Sequence, residues 1–209
     1  MELFLVRHGQ SEPSTTSPDW DLSAVGAQQA LRTARRLAGV QITHLVSSPL
    51  RRALATAHRI AEVLDHTPVE VWPDLREGFD ADYHGISRAD AEDRFPRAAW
   101  PSLLPDDGWL YPGDTRAAFQ ARCQDMLRAL TTRFVGEERV VVVVHGGCAT
   151  YLLNALLGIP ATAPCWFELA NCGICHVRVD SAHTRTEWPL YPLMDTEVLS
   201  INDVAHLTP

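Results

Sequence analysis

Residues 139–147 read Arg-Val-Val-Val-Val-Val-His-Gly-Gly. Five β-branched residues in a row, with no polar residue between them, describe a strand buried on both faces. Such strands belong to parallel sheets covered by helices on either side. The run stops at His145-Gly146-Gly147, where apolar spacing opens a helix to Leu157. The carboxyl end of a central strand is where open α/β sheets bind ligands. The first residues have the same build: Glu2 to Val6 is a short apolar run that ends at Arg7-His8-Gly9. If the two strands pair, their histidines become neighbours across the sheet.

The stretches between them repeat strand and helix. Ser23 is placed to cap a helix from about Ala24 to Leu37, closed near Gly39. Thr43 to Val46 reads as a strand, and Ser47-Ser48-Pro49 as the start of a helix by the serine-cap and first-turn proline rules. Val69 to Trp72 is a third strand. Residues 73–114 break the rhythm with dense Asp, Gly, Pro and Trp, and only Arg88 to Phe95 has a helical pattern, so this segment reads as a lid-like insertion over one face. An amphipathic helix follows from about Thr115 to Phe134. Leu169 to Val179 and Thr184 to Trp188 read as an edge hairpin, and residues 190–209 as a weakly patterned tail. The expectation is one domain over residues 1–209: a three-layer α/β/α fold with a mostly parallel sheet and an antiparallel edge strand.

Composition narrows the chemistry. All 18 cationic residues of the 209 are Arg, and there is no Lys. A lysine Schiff base, a P-loop lysine and a kinase strand lysine are therefore excluded. A net charge of −8 argues against nucleic acid as a partner. No apolar run approaches the ~20 residues of a membrane span. Five scattered cysteines and the absence of a signal-like start point to a reducing cytoplasm. Arg is suited to phosphate, because its planar fork meets two oxygens at once.

Four strand or loop ends carry the chemistry: Arg7-His8-Gly9, Ser47-Ser48-Pro49 leading to Leu50-Arg51-Arg52, Leu75-Arg76-Glu77, and His145-Gly146. Two His, at least two Arg and one Glu near helix N-termini make an anion site with a nucleophile in it. A neutral imidazole attacks phosphorus at pH 7, Arg and a second His hold the equatorial oxygens, and a carboxyl of raised pKa protonates the leaving alkoxide. Such a site needs neither a metal nor a cofactor. Its partner is a small phosphorylated metabolite.

Leu3-Phe4-Leu5-Val6-Arg7-His8-Gly9-Gln10-Ser11-Glu12 resembles the signature of the histidine phosphatase superfamily, the phosphoglycerate-mutase-like proteins. Leu22 to Ala30, Ser47 to Ala57, Leu75-Arg76-Glu77 and Val143 to Gly147 resemble its further motifs, in family order. The resemblance implies that His8 is the phosphorylated nucleophile, that Arg7, Arg52 and His145 bind phosphate, and that Glu77 is the acid and base. Arg52 is preferred to Arg51, read as a surface residue, because it directly precedes the alanine of the Arg-Ala-x-x-Thr-Ala stretch. The Gly146 amide is an added donor. Ser14 stands where many members have Asn, so Gln10 or Ser14 itself is the candidate to replace it.

Other readings compete at several positions. Asp74, Asp80 or Asp82 are alternatives to Glu77 as the acid, and His84 reads as a rim residue. Cys172-Gly173-Ile174-Cys175-His176 has the spacing of a haem attachment, but an extended strand there sends the two thiols to opposite faces. Phe79, Phe95, Trp100, Trp109 and Tyr111 fit either a substrate wall or a subcore. The resemblance implies a phosphatase for small phosphomonoesters. A cofactor-dependent phosphoglycerate mutase is the alternative, weakened because those enzymes resemble one another in a lysine and an arginine pair after the acid. Here the adjacent arginines, Arg35-Arg36 and Arg51-Arg52, both precede Glu77. A non-catalytic phosphate-binding module is the third reading, and a homodimer is left open.

Overall fold

Val140 to Val144 are sealed from solvent, and the remaining elements are arranged around them. The computed structural model describes residues 1–14, 18–65, 68–162, 165–180 and 195–208. In chain order these form β1 (Glu2–Arg7), α1 (Ala24–Leu37), β2 (His44–Ser47), α2 (Arg51–Leu64), β3 (Val69–Val71), a 3-10 turn (Pro73–Leu75), β4 (Tyr83–His84), α3 (Arg88–Arg94) and β5 (Ala98–Ala99). Then follow β6 (Leu110–Tyr111), α4 (Arg116–Arg133), β7 (Arg139–Val144), α5 (Gly146–Leu156), β8 (Ile174–Val179), β9 (Thr196–Asp203) and a second 3-10 turn (Ala205–Leu207).

The main sheet has the order β5-β3-β2-β7-β1-β8-β9. From β5 to β1 the strands are parallel; β8 runs antiparallel to β1, and β9 antiparallel to β8. Alternation along β7 supplies both sides. Val140, Val142 and Val144 pack with Leu3, Leu5, α4 and α5, while Val141 and Val143 pack with Phe4, Val6, α1 and α2. This is the three-layer α/β arrangement expected, and the two-sided burial explains why the run carries no alternation in its sequence.

Ser23 caps α1 by accepting from Gly26 N–H at 3.1 Å, and Thr115 caps α4 in the same way through Ala118 N–H at 3.2 Å. The start of α2 departs from expectation. Its N-cap is Leu50, without a side-chain cap, so the helix begins after Pro49 rather than with it. The Ser48 hydroxyl stands before the helix, 2.7 Å from His145 Nε2 and accepting from Leu50 N–H at 3.3 Å.

Two further corrections concern the periphery. Part of the stretch read as a weakly patterned tail, Thr196–Asp203, is the strand that pairs with β8, and the following turn docks on α1 through His206 Nε2 and Thr33 Oγ1 at 3.0 Å. The strand expected over 184–188 lies outside the described residues. The insertion is not wholly separate, because Ala98–Ala99 joins the main sheet beside β3. The β4–β6 pair closes its base, and Leu54, Val71, Ile86, Phe95 and Leu104 fill a core beneath it.

Candidate active site

The parallel strands end at one edge of the sheet, and their hydrogen bonding continues a residue beyond them. His8 N–H donates to Val144 O at 2.9 Å, Ser48 N–H to Val143 O at 3.0 Å, and Trp72 N–H to Ser47 O at 2.9 Å. The loop after β1 is pressed main chain to main chain on α1: a Cβ on Gly26 would lie 2.0 Å from Gln10 O, and one on Gly9 would lie 2.6 Å from Gly26 O. Only glycine fits either position.

His8 and His145, both buried, face each other with ring centroids 4.9 Å apart. His8 Nδ1 lies 2.7 Å from Gly9 O. A carbonyl only accepts, so Nδ1 carries the proton of the neutral ring and Nε2 keeps its lone pair. Arg52 Nε donates to that lone pair at 3.1 Å. Burial first, and the Arg52 charge second, push the His8 pKa down to about 3. Ser48 Oγ lies 2.7 Å from His145 Nε2 and also accepts from Leu50 N–H at 3.3 Å. His145 Nδ1 is buried and without a partner, as is Arg7 Nε. Burial holds the His145 ring neutral.

Arg7 Nη1 donates to Leu169 O, which ties its guanidinium to the loop before β8. The same loop grips the backbone at His8. Cys172 N–H donates to Arg7 O at 2.9 Å and Asn171 Nδ2 to His8 O at 3.0 Å. Gly146, at the start of α5, lines the same wall; a Cβ there would stand 3.6 Å from Arg7 Nε. Glu77 closes the set. Its Oε2 accepts from Gly147 N–H at 2.9 Å, and its Oε1 from Gly78 N–H at 3.1 Å and Cys148 N–H at 3.2 Å. Burial raises its pKa against the opposing pull of these donors and of Arg52. A Cβ on Gly147 would lie 2.7 Å from Oε1, so a side chain there would displace the carboxylate from this seat. Arg122 braces the backbone leading to Glu77 by donating to Asp74 O at 2.7 Å and Arg76 O at 2.9 Å.

The structure therefore brings His8, Arg7, Arg52, Glu77, His145 and Gly146 together. Gln10 is held by its main chain, donating to Gln29 Oε1 at 2.8 Å, while Gln10 and Ser14 stand exposed on the outer loop rather than among the buried set. The rival carboxylates are elsewhere: Asp74 pairs with Arg76 at 2.8 Å, Asp82 accepts from Gly113 N–H at 2.9 Å, and Asp80 is exposed. His84 is an exposed residue near Asp107. Phe79 lies 6.0 Å from the Arg52 guanidinium, whereas Phe95, Trp100, Trp109 and Tyr111 pack in the insertion's own clusters. Cys172 sits in a left-handed turn at φ +61° rather than on the strand, close to Thr33 on the α1 side, and Cys175 lies in the core on the α5 side. Among the described residues no three His, Cys, Asp or Glu side chains converge as metal ligands would.

Arg51 is not the surface residue expected of it. It pairs with Asp90 at 2.8 Å and with Asp19 at 3.6 Å. Asp19 and Asn171 were not singled out by sequence reasoning; a carboxylate just before a capped helix and an Asn just before a buried Cys are weak signals. Ser48 was read only as a cap, and the Ser-Ser-Pro spacing that suggested it was the available clue.

A mostly parallel sheet covered on both faces, with two neutral histidines, two arginines and a carboxyl gathered at its strand ends, is an α/β architecture with a pocket suited to an anion. The chain belongs to the histidine phosphatase superfamily (branch 1), whose family model matches residues 3–189. It is 33% identical over 199 residues to the glucosyl-3-phosphoglycerate phosphatase of Mycolicibacterium vanbaalenii, covering 88% of this chain and 86% of that one. It is 31% identical over 218 residues to a probable phosphoglycerate mutase GpmB of Proteus mirabilis, covering 100% and 95%. Its fold is similar to that of a mycobacterial glucosyl-3-phosphoglycerate phosphatase in complex with inorganic phosphate, with a TM-score of 0.68, 26% identity and 99% of each chain covered.

Proposed function

We propose that this protein is a metal-independent phosphatase that hydrolyses small phosphomonoesters through a phosphohistidine at His8. The observation that carries the reading is an unprotonated His8 Nε2 beside two buried nitrogens without partners, Arg7 Nε and His145 Nδ1. A buried guanidinium N–H left unmatched in a positive pocket calls for an anion, and in this reading His145 offers it a second N–H from Nδ1. In the reading, Nε2 attacks phosphorus while a substrate oxygen replaces it as the partner of Arg52. Arg7 and His145 hold the other equatorial oxygens as charge spreads over them.

The leaving alkoxide takes its proton from Glu77, whose raised pKa suits an acid. Water then attacks the phosphohistidine and gives its proton back to Glu77, and inorganic phosphate leaves. The reading is supported by the similarity to glucosyl-3-phosphoglycerate phosphatase, and we propose a cytoplasmic location for it on the sequence grounds given above. The similarity to a probable phosphoglycerate mutase favours a second reading, transfer rather than hydrolysis. The absence of Lys counts against the carboxylate grip that resemblance would imply.

The test is an assay in EDTA with a panel of phosphomonoesters and with 3-phosphoglycerate plus its bisphosphate primer, following released phosphate and isomerised product. Phosphate release is expected, and His8→Ala is expected to lose on the order of 10⁴-fold or more in kcat/KM while remaining folded. Isomerisation without net phosphate release would replace hydrolysis by the mutase reading.

A further inference from the structure

The phosphate clamp contains a carboxylate that the chemistry above does not use. Asp19 is buried, on the loop between β1 and α1, at the N-terminus of α2. The N-cap residue of that helix, Leu50, provides no side-chain cap. Asp19 Oδ1 fills the role from outside, accepting from Arg51 N–H at 2.7 Å, and its other oxygen stands 3.6 Å from Arg51 Nε. The neighbouring Pro18 O accepts from Arg52 Nη1 at 3.2 Å, while Arg52 Nε points at His8 Nε2 at 3.1 Å. Two adjacent residues of one loop thus hold two adjacent residues of the helix.

The loop is itself fastened at its far side. Arg94 of α3 pairs with Asp21 at 2.5 Å, and Arg51 reaches Asp90 of the same helix at 2.8 Å. We propose that Asp19 is a positioning residue for the phosphate clamp: it fixes the first turn of α2 so that the Arg52 guanidinium meets the anion bound at His8. The proposal rests on the phosphatase reading, since it takes Arg52 as a phosphate ligand. Burial raises the Asp19 pKa to about 6 against the pull of Arg51 and Arg52. A carboxylate kept out of water in this way is commonly found at functional sites.

Charge and geometry make opposite predictions here. A negative group near Arg52 lowers the positive potential felt by phosphate, so removing the charge alone tightens phosphate binding. Removing the acceptor frees the first turn of α2 and loosens it. The experiment compares wild type, Asp19→Asn and Asp19→Ala, with inorganic phosphate as competitive inhibitor and as ligand in a direct titration, and with thermal unfolding as a check of folding. Asp19→Asn keeps an oxygen for Arg51 N–H and is expected to bind phosphate as tightly as wild type or up to about threefold more tightly. Asp19→Ala is expected to bind it about tenfold more weakly.

Tighter binding by both variants would overturn the proposal and leave Asp19 as a counter-charge only. Equal weakening in both would overturn it too, since the retained acceptor should rescue. Should either variant unfold, Arg51→Ala, which leaves the backbone N–H in place, is expected to keep phosphate binding within about threefold; a tenfold loss there would move the role to the Arg51 side chain. A wild type that neither binds phosphate nor turns over any ester breaks the underlying reading instead, which separates the two failures.

Discussion

The rim formed by the ends of β1, β2 and β7 is held by main-chain hydrogen bonds and by glycine-to-backbone contact. The insertion between Phe79 and Asp114 is held by aromatic side chains, by the short β4–β6 pair and by ion pairs such as Arg88–Asp106 and Arg94–Asp21. Main-chain bonds do not depend on which side chain a residue carries, whereas ring packing does. Phosphate, common to every substrate of such a site, would meet the first region. The leaving group, which differs between substrates, would meet Glu77 and Phe79, where the second begins.

The largest effect that separates the regions is expected at their junction. Glu77→Gln should slow esters of poor leaving groups by about 10²–10⁴-fold and an activated aryl phosphate far less, as measured by kcat/KM across a leaving-group series. Equal losses on both would assign the proton to another group. The pH profile follows. His8, with its pKa pushed down to about 3, stays unprotonated down to about that pH, so it sets no limb near neutrality. For poor leaving groups kcat/KM should fall as pH rises through the raised pKa of Glu77, and that alkaline limb should vanish in Glu77→Gln.

Next in size is Gly26→Ala. The added Cβ meets Gln10 O at 2.0 Å, and relieving that contact means shifting the loop that follows His8. A loss of about 3 kcal/mol is expected, seen as a melting temperature lower by roughly 6–12 °C, together with reduced phosphate affinity. Phe95→Ala sharpens the contrast from the other side. Removing this buried ring should cost about 3 kcal/mol as well, yet leave inhibition by phosphate within about twofold of wild type. A large loss of phosphate affinity in that variant would mean that the two regions are mechanically one.

The same contrast governs what was legible in the sequence. The β1 and β7 strands and the residues just beyond them were readable because burial on both faces leaves an uninterrupted apolar run, and because the chemistry follows it immediately. Helix α1 was readable from its serine cap. Strand β9 was not, because one sheet edge is only half covered. Val198, Leu199 and Ile201 are all partly exposed, and Asn202 at φ +55° interrupts the ladder, so neither alternation nor a continuous run survives. The start of α2 differs from the local rules, which place Ser48 at the cap: the helix begins after Leu50, and the Ser48 hydroxyl also meets a partner 97 residues away in sequence. Asp19 escaped for a related reason: it caps a helix to which it is not adjacent in sequence.

The fixing of the site's side chains by the fold has a thermodynamic side. Ser48 holds the His145 ring, Leu169 O holds the Arg7 guanidinium and Pro18 O holds that of Arg52 before any anion arrives. Water around a free phosphate ester must turn its dipoles as charge moves during reaction, and that turning is part of the barrier in solution. A row of donors already aligned by the fold has little left to turn, so its reorganisation energy was met when the chain folded.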